Sequence, residues 1–237
     1  VDAVRQLTNV LFFILGALVG SQAKLRYDNY QQPHPRPHQW QGLLEHPWRL
    51  WYRKPGETVD QLGVRPPMTV LELGCGTGLF TVEIAQRLGE GGQLHVIELQ
   101  EAYLRQTQQR VKAAGLQARV AFHHSGAYAL PIDSDSIDLA VVIAALGQIP
   151  ERLTALNEVR RVLKPGAHLV VSEELPDPAY VPPPLMRRWL TAARYRPVGQ
   201  SGSAFCYLQR YVTDKEVNTI DVVAKATDRV TVISHKN

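Results

Sequence analysis

Two carboxylates and three glycines at set offsets carry the chemistry of this chain. Val70 to Gly78 reads V-L-E-L-G-C-G-T-G, an apolar run that ends near Glu72 and turns through Gly74, Cys75, Gly76 and Gly78. A glycine lacks a Cβ, so each can take a positive φ and let the backbone lie against a ligand at a helix N-terminus. The apolar spacing of Leu79 to Leu88 predicts that helix. His95-Val96-Ile97-Glu98 reads as a second strand whose final acid follows the turn by about 20 residues, the offset at which a carboxylate accepts both ribose hydroxyls. The two units together predict a nucleoside ligand with Glu98 on its sugar. A dinucleotide is excluded by the frame, because Leu79 and Thr81 occupy the positions where G-x-G-x-x-G needs its third glycine.

The pattern E-x-G-x-G-x-G resembles the first motif of class I S-adenosylmethionine-dependent methyltransferases. Ala129-Leu130-Pro131-Ile132-Asp133 with Ser136-Ile137-Asp138, and Glu158-Val159-Arg160-Arg161-Val162-Leu163-Lys164-Pro165-Gly166, resemble the "A-L-P-F … S-F-D" and "E-x-x-R-V-L-K-P-G" stretches of the ubiquinone/menaquinone-biosynthesis group. The likeness runs to about Leu175. It implies S-adenosyl-L-methionine as cofactor, a backbone wall at Gly74, Cys75, Gly76 and Gly78 for its methionine moiety, and Glu72 near the amino group. It further implies Glu98 and Leu99 at the ribose, and Ala144 at the end of the fourth strand. Where many relatives have Gly-Asp-Ala, this chain has Ser125-Gly126-Ala127, so backbone groups near Ala127 and Tyr128 are expected to hold the adenine.

Strand-like runs at 69–73, 94–98, 119–123, 137–143 and 168–173 alternate with helical stretches at 79–88, 101–114 and 152–163. Such alternation predicts an α/β fold with a doubly wound, mostly parallel sheet, and ligands outside the strands' carboxyl ends. The resemblance implies seven strands in a Rossmann-like methyltransferase fold, closed by a hairpin from runs at 195–198 and 204–212. Pro182-Pro183-Pro184 breaks the chain before a short helix at 185–193. Residues 229–233 look strand-like within a polar tail.

Two cysteines, Cys75 inside the glycine turn and Cys206 in a late strand, make a disulfide framework improbable. No Cys/His spacing predicts a structural metal, and the Asp set of catechol-type enzymes is absent, so no Mg²⁺ is expected. Nucleic acid is not the expected partner despite a pI of about 9.1, because no [DN]-P-P-[YFW] motif is present. The fourth strand ends in Val142-Ile143-Ala144-Ala145-Leu146-Gly147, an apolar setting for an acceptor. No catalytic residue is assigned. His34, His38, His46, His123, His124 and the Glu173-Glu174 pair are the groups from which a general base could come, and Glu173 is expected near the pocket.

Val10 to Val19 is the most apolar segment, and the stretch from Ser21 to Pro66 behind it holds seven Lys/Arg against four acids. Ten to fourteen apolar residues fall short of the ~20 that span a bilayer. A cleaved signal peptide, a buried core helix and a short or tilted membrane anchor all remain open; the anchor, with Lys24 and Arg26 on the cytoplasmic side, fits the flanking charges best. Tyr27, Tyr30, Trp40, Trp48, Trp51 and Tyr52 suit headgroup level or a lid over the core. The expected organisation is an N-terminal hydrophobic helix at 1–26, an aromatic and basic linker and lid at 27–66, the methyltransferase domain at 67–212, and a tail of unassigned role at 213–237. The expected partners are a hydrophobic small-molecule or lipid substrate and a membrane surface, with a protein partner through the N-terminal helix or the tail left open. The expected function is transfer of a methyl group to a lipid, quinone or apolar thiol by a membrane-associated enzyme facing the cytoplasm. Its rival is a non-catalytic anchored subunit that keeps the fold.

Overall fold

Strands buried on both faces read as unbroken apolar runs rather than alternating ones, as Leu139 to Ile143 and Leu169 to Val171 do here. The computed structural model describes residues 2–215. Its sheet has seven strands in the order β3-β2-β1-β4-β5-β7-β6: β1 (Thr69–Leu73), β2 (Gln93–Glu98), β3 (Val120–His124), β4 (Ile137–Ile143), β5 (Leu163–Glu174), β6 (Tyr195–Gly202) and β7 (Cys206–Thr213). The first five pair in parallel, and β7 lies antiparallel between β5 and β6. Chain order reverses at β1, whose neighbours are β2 on one side and β4 on the other, so a crevice opens beyond the carboxyl ends of β1 and β4.

Eight helices accompany the sheet among the described residues: α1 (Asp2–Gln31), α2 (Gln41–Leu44), α3 (Pro47–Tyr52), α4 (Pro55–Leu62), α5 (Leu79–Arg87), α6 (Glu101–Ala113), α7 (Arg152–Val162) and α8 (Pro183–Ala192). On one face Val59, Leu62, Ile84, Leu88, Leu104 and Val111 pack on Val70, Leu94 and Val96. On the other, Leu156, Val159, Met186 and Leu190 pack on Leu71, Ala140, Val142 and Val171. Each such side chain withdrawn from water contributes about 1.5–3 kcal/mol against the entropy of ordering it.

Several boundaries differ from expectation, β6 for instance running on to Gly202, and two of them have a clear local cause. β5 begins at Leu163 instead of His168, because Leu163 already pairs with Ile137 before the register shifts. Pro165 cannot donate to the ladder and Gly166 takes φ +71°, so the Lys-Pro-Gly sequence makes an irregularity inside the strand and not a turn ahead of it. α8 starts at Pro183, since proline in a first helical turn gives up an N–H that has no partner there anyway.

Helix α1 is longer than its apolar stretch, because polar flanks continue the same helix. The window Val4–Gln31 is long and apolar enough to cross a membrane. All of Val4 to Leu25 is exposed, which overturns the core-helix reading. The C-terminal end is pinned to the domain: the Arg26 guanidinium donates to Leu175 O and lies over the Tyr180 ring, and Asn29 Nδ2 donates to Gly147 O at 3.2 Å. At the other end of the domain, Lys215 Nζ donates to Arg161 O and Leu163 O at 2.8 and 2.6 Å, tying the chain beyond β7 to the α7–β5 junction. The strand-like run at 229–233 lies outside the described residues.

Candidate functional site

The glycine turn does what its composition predicts. Gly74, Gly76 and Gly78 have φ of +80°, +53° and +82°. A Cβ on Gly74 would stand 2.9 Å from the Ala145 Cβ, and one on Gly78 would stand 2.8 Å from Thr107 Oγ1. Two of the glycines are therefore demanded twice, by backbone conformation and by close packing. Thr107 on α6 steadies the turn by donating to Gly76 O at 3.1 Å.

Glu98 closes the turn from the next strand. Its Oε2 accepts from Gly76 N at 3.3 Å and its Oε1 from Gln100 N at 2.9 Å. Burial raises its pKa and the backbone donors partly offset the rise. The carboxylate lies on the wall of a cleft enclosing about 1210 Å³ with its open mouth included. Leu73, Gly74, Cys75, Gly76 and Thr77 form one side of this cleft, Glu98, Leu99 and Gln100 the next, and Ser125, Gly126, Ala127 and Tyr128 a third. Ser125 N donates to Glu98 O at 3.2 Å, which sets that third segment beside Glu98. Ile143, Ala144 and Ala145 complete the ring at the end of β4. Ala144 has φ +50°, a strained backbone for a residue with a Cβ, and it sits where the strand meets the cleft.

Glu72 and Gly78 stand behind that wall instead of on it. Glu72 is fully buried beneath the turn, accepting from Thr81 Oγ1 at 2.7 Å, and burial pushes its pKa up to about 8 with nearby Glu98 adding to the rise. Its place supports the turn from below. Burial also raises the Cys75 thiol, which makes it a poor nucleophile at neutral pH.

The remaining wall comes from the segment before β1, within the 27–66 stretch expected to be linker and lid, although local patterns did not show which of its residues face the cleft. The stretch His34-Pro35-Arg36-Pro37, expected to be a linker, has no regular secondary structure and crosses the cleft before His38 opens a 3-10 turn. Arg36 N donates to Gln148 Oε1 at 2.8 Å on the β4 side, and Gln100 Nε2 donates to Arg36 O at 2.8 Å on the α6 side. Pro35, Arg36, Leu44 and Arg49 line the cleft here, opposite Phe80, Tyr103, Gln148, Ile149 and Pro150. Buried ion pairs hold the segment down: Arg36 with Asp177, and Arg49 Nε with Glu174 Oε1 at 2.7 Å. Arg53 reaches Glu174 Oε2 only at 3.7 Å but donates to Ser172 Oγ at 2.8 Å. Burial works against the Arg36 charge, and Asp177 outweighs it to raise the guanidinium pKa.

None of the expected bases is on the cleft wall. His34 and His124 are spent on backbone carbonyls, His46 accepts from Trp48 N to cap α3, and His123 stacks on His95 with a ring-nitrogen separation of 3.1 Å. His38 packs edge-on against Tyr103, 4.7 Å between ring centroids. Glu173 is buried behind the cleft, its pKa held well above the carboxylate range by burial and by Asp177.

The cleft fits S-adenosylmethionine on its own geometry. Glycine backbone faces it where side chains would intrude, Glu98 is held at the rim by two backbone donors, and the buried Tyr103 hydroxyl on its wall has no hydrogen-bond partner among the described residues. Among the described residues no cluster of three metal-ligating side chains occurs.

A model of the ubiE/COQ5 methyltransferase family matches residues 44–179. Ubiquinone/menaquinone biosynthesis C-methyltransferases UbiE of Escherichia fergusonii and Yersinia pestis are each 34% identical over 125 residues, covering 53% of this chain and 49% of theirs. The chain thus spans about half the length of the curated relatives it matches. Among solved structures, a SAM-dependent methyltransferase from Aquifex aeolicus superposes with a TM-score of 0.67 at 23% identity, over 75% of this chain and 99% of that one. Geranyl diphosphate C-methyltransferase from Streptomyces coelicolor, solved with S-adenosyl-L-homocysteine, gives 0.59 at 14% identity over 71% and 82%. These two likenesses concern the fold.

Proposed function

The chain belongs to the ubiE/COQ5 methyltransferase family, and from that premise we propose that it is a membrane-associated enzyme transferring a methyl group from S-adenosyl-L-methionine to a small hydrophobic acceptor. A lipid, a quinone or an apolar thiol fits; the relatives' names make a quinone-type ring the first acceptor to try. The observation that carries the reading is Glu98, buried yet presented to the cleft and held by Gly76 N and Gln100 N.

Gly74, Cys75 and Gly76 would hold the methionine moiety with their backbone, Glu98 the ribose, and Ser125 to Tyr128 the adenine. The cofactor supplies a methyl group on a sulfonium, whose loss leaves a neutral thioether. The chain's own work is then to orient an acceptor in line and keep water out. Leu44, Phe80, Ile143, Ile149 and Pro150 make the acceptor half of the cleft apolar, and the strap at 34–38 roofs it. Helix α1 holds the domain at a membrane, with Lys24 and Arg26 at the cytoplasmic surface.

The non-catalytic rival is favoured by one observation. Arg36 and Arg49, the charged side chains on the acceptor wall, are guanidinium cations paired with Asp177 and Glu174, so neither can take a proton from an acceptor that must lose one. Calorimetry decides between the two readings. Titration of detergent-solubilised protein with S-adenosylmethionine and S-adenosylhomocysteine is expected to give micromolar affinity, lost in Gly76→Val and Glu98→Ala. Absence of binding by the folded wild-type chain would sink the enzyme reading.

A further inference from the structure

Helix α3 and its flanks are built inside out for a segment on the surface of a water-soluble protein. In His46 to Lys54 the arginines point inward: Arg49 is 7% exposed and Arg53 1%, both beside Glu174. The tryptophans point outward, Trp48 at 53% and Trp51 at 77% exposure. The spacing explains the split, since residues 48 and 51 share one helix face and 49 and 53 another. Buried charge under exposed aromatic surface is the combination that calls for an explanation.

The outward rings continue to the foot of α1. Trp48 meets Tyr52 edge-on with 5.0 Å between centroids, and Tyr52 meets Phe205, at the tip of the β6–β7 hairpin, at 5.0 Å. Phe205 O accepts from Leu175 N at 2.6 Å, and Leu175 O is the acceptor of the Arg26 guanidinium. Tyr180, under Arg26, donates to Ala204 O at 2.6 Å in the same hairpin. The aromatic surface is thus continuous with the point where the exposed apolar helix joins the domain. Residues 46–54 contain no acid, and Lys54 is exposed beside them. With Arg49 and Arg53 turned inward to Glu174 and Lys54 paired with Glu57, the outward surface is aromatic, as suits rings lying at headgroup level.

We propose that the outer face of α3, with Phe205, is a lipid-contacting surface that lies in the headgroup layer beside α1. The inference rests on the reading of α1 as a membrane anchor and adds a second contact to it. The inner side of the same segment supplies Arg49 to the cleft, next to Leu44 at the end of α2, so this wall of the acceptor half rests on the bilayer and a lipophilic acceptor enters from the lipid side without crossing water.

The test uses the full chain, in a Trp40→Phe/Trp189→Phe background where Trp48 and Trp51 are the remaining tryptophans of the four. It is reconstituted into vesicles of phosphatidylcholine and phosphatidylglycerol whose acyl chains are brominated near the headgroup, and flotation is scored alongside fluorescence. The expected result is a chain that floats with the vesicles, with emission quenched by the brominated lipid and shielded from aqueous iodide. Trp48→Phe/Trp51→Phe in the otherwise wild-type chain should then float equally well and lose most of the quenched signal. A floating chain whose two tryptophans ignore the bromine and remain open to iodide overturns the lipid surface while leaving the anchor standing. A chain that does not float removes both. Shielding from iodide that appears without vesicles and grows with protein concentration assigns the face to a second copy and overturns the proposal as well.

Discussion

The two halves of the cleft are made by different physics. The glycine-turn half, proposed to hold the cofactor, is a backbone device: three positive-φ glycines and a carboxylate held by two main-chain donors, all within 27 residues of sequence from Glu72 to Glu98. The lid half is a side-chain device, in which Arg36 and Arg49 reach more than a hundred residues along the chain to Asp177 and Glu174 at the end of β5. Backbone geometry tolerates no substitution yet needs no distant partner. Buried ion pairs depend wholly on the partner, because a charge left alone in the interior costs several kcal/mol.

The largest effect should come from the backbone side. Gly74→Val adds a Cβ at φ +80° and 2.9 Å from Ala145, and calorimetry should register a loss of S-adenosylhomocysteine affinity of about a thousandfold or more, ~4 kcal/mol. Retained binding would show that the cradle is not what holds the ligand. Arg49→Met strands Glu174 and should cost about 3 kcal/mol in urea unfolding, while cofactor affinity changes far less than in Gly74→Val. If both variants lose affinity alike, the two halves are not separable.

Glu72 sharpens the comparison through pH. Its folded pKa of about 8 lies above the group's ordinary value of 4.5, so the folded state binds the proton more tightly than the unfolded one. The stabilisation is therefore complete below pH 4.5 and is lost as pH rises toward 8. Glu72→Gln should flatten that part of the stability profile, by an amount on the order of 2 kcal/mol between its ends once relaxation around the charge is allowed for. An unchanged slope would place the proton elsewhere, with buried Glu173 the next candidate. Lys54→Ala removes an exposed pair with Glu57 at 2.7 Å and should shift stability by no more than about 0.5 kcal/mol. A larger loss would mean that the lid is held by its surface as well as by its buried pairs.

How much could be read from the chain varied by region for the same reason. β1, β4, the start of α5 and the start of α6 stand where local pattern puts them, since hydrophobic period and glycine placement act over a few residues. Leu163 joined β5 early because its partner, Ile137, lies on a neighbouring strand whose register no local rule contains. The Pro-rich stretch at 34–38 was legible as non-helical, but its path over the cleft depends on Gln100 and Gln148, far along the chain. Of the arginines in the lid, composition shows only that they are basic; that Arg49 and Arg53 turn inward while Trp48 and Trp51 face out is visible only once Glu174 is beneath them.

By itself, the sequence determined the βαβ order, the glycine turn and the acid that ends the second strand, because each follows from steric rules between near neighbours. Only the tertiary structure decided that Glu72 sits under the turn and not on the cleft, and that the expected bases are spent elsewhere. It likewise decided that the wall of the acceptor half comes partly from the strap at 34–38 and α2–α3. Those outcomes turn on burial and on partners brought together by the fold, and neither is encoded in the spacing of adjacent residues.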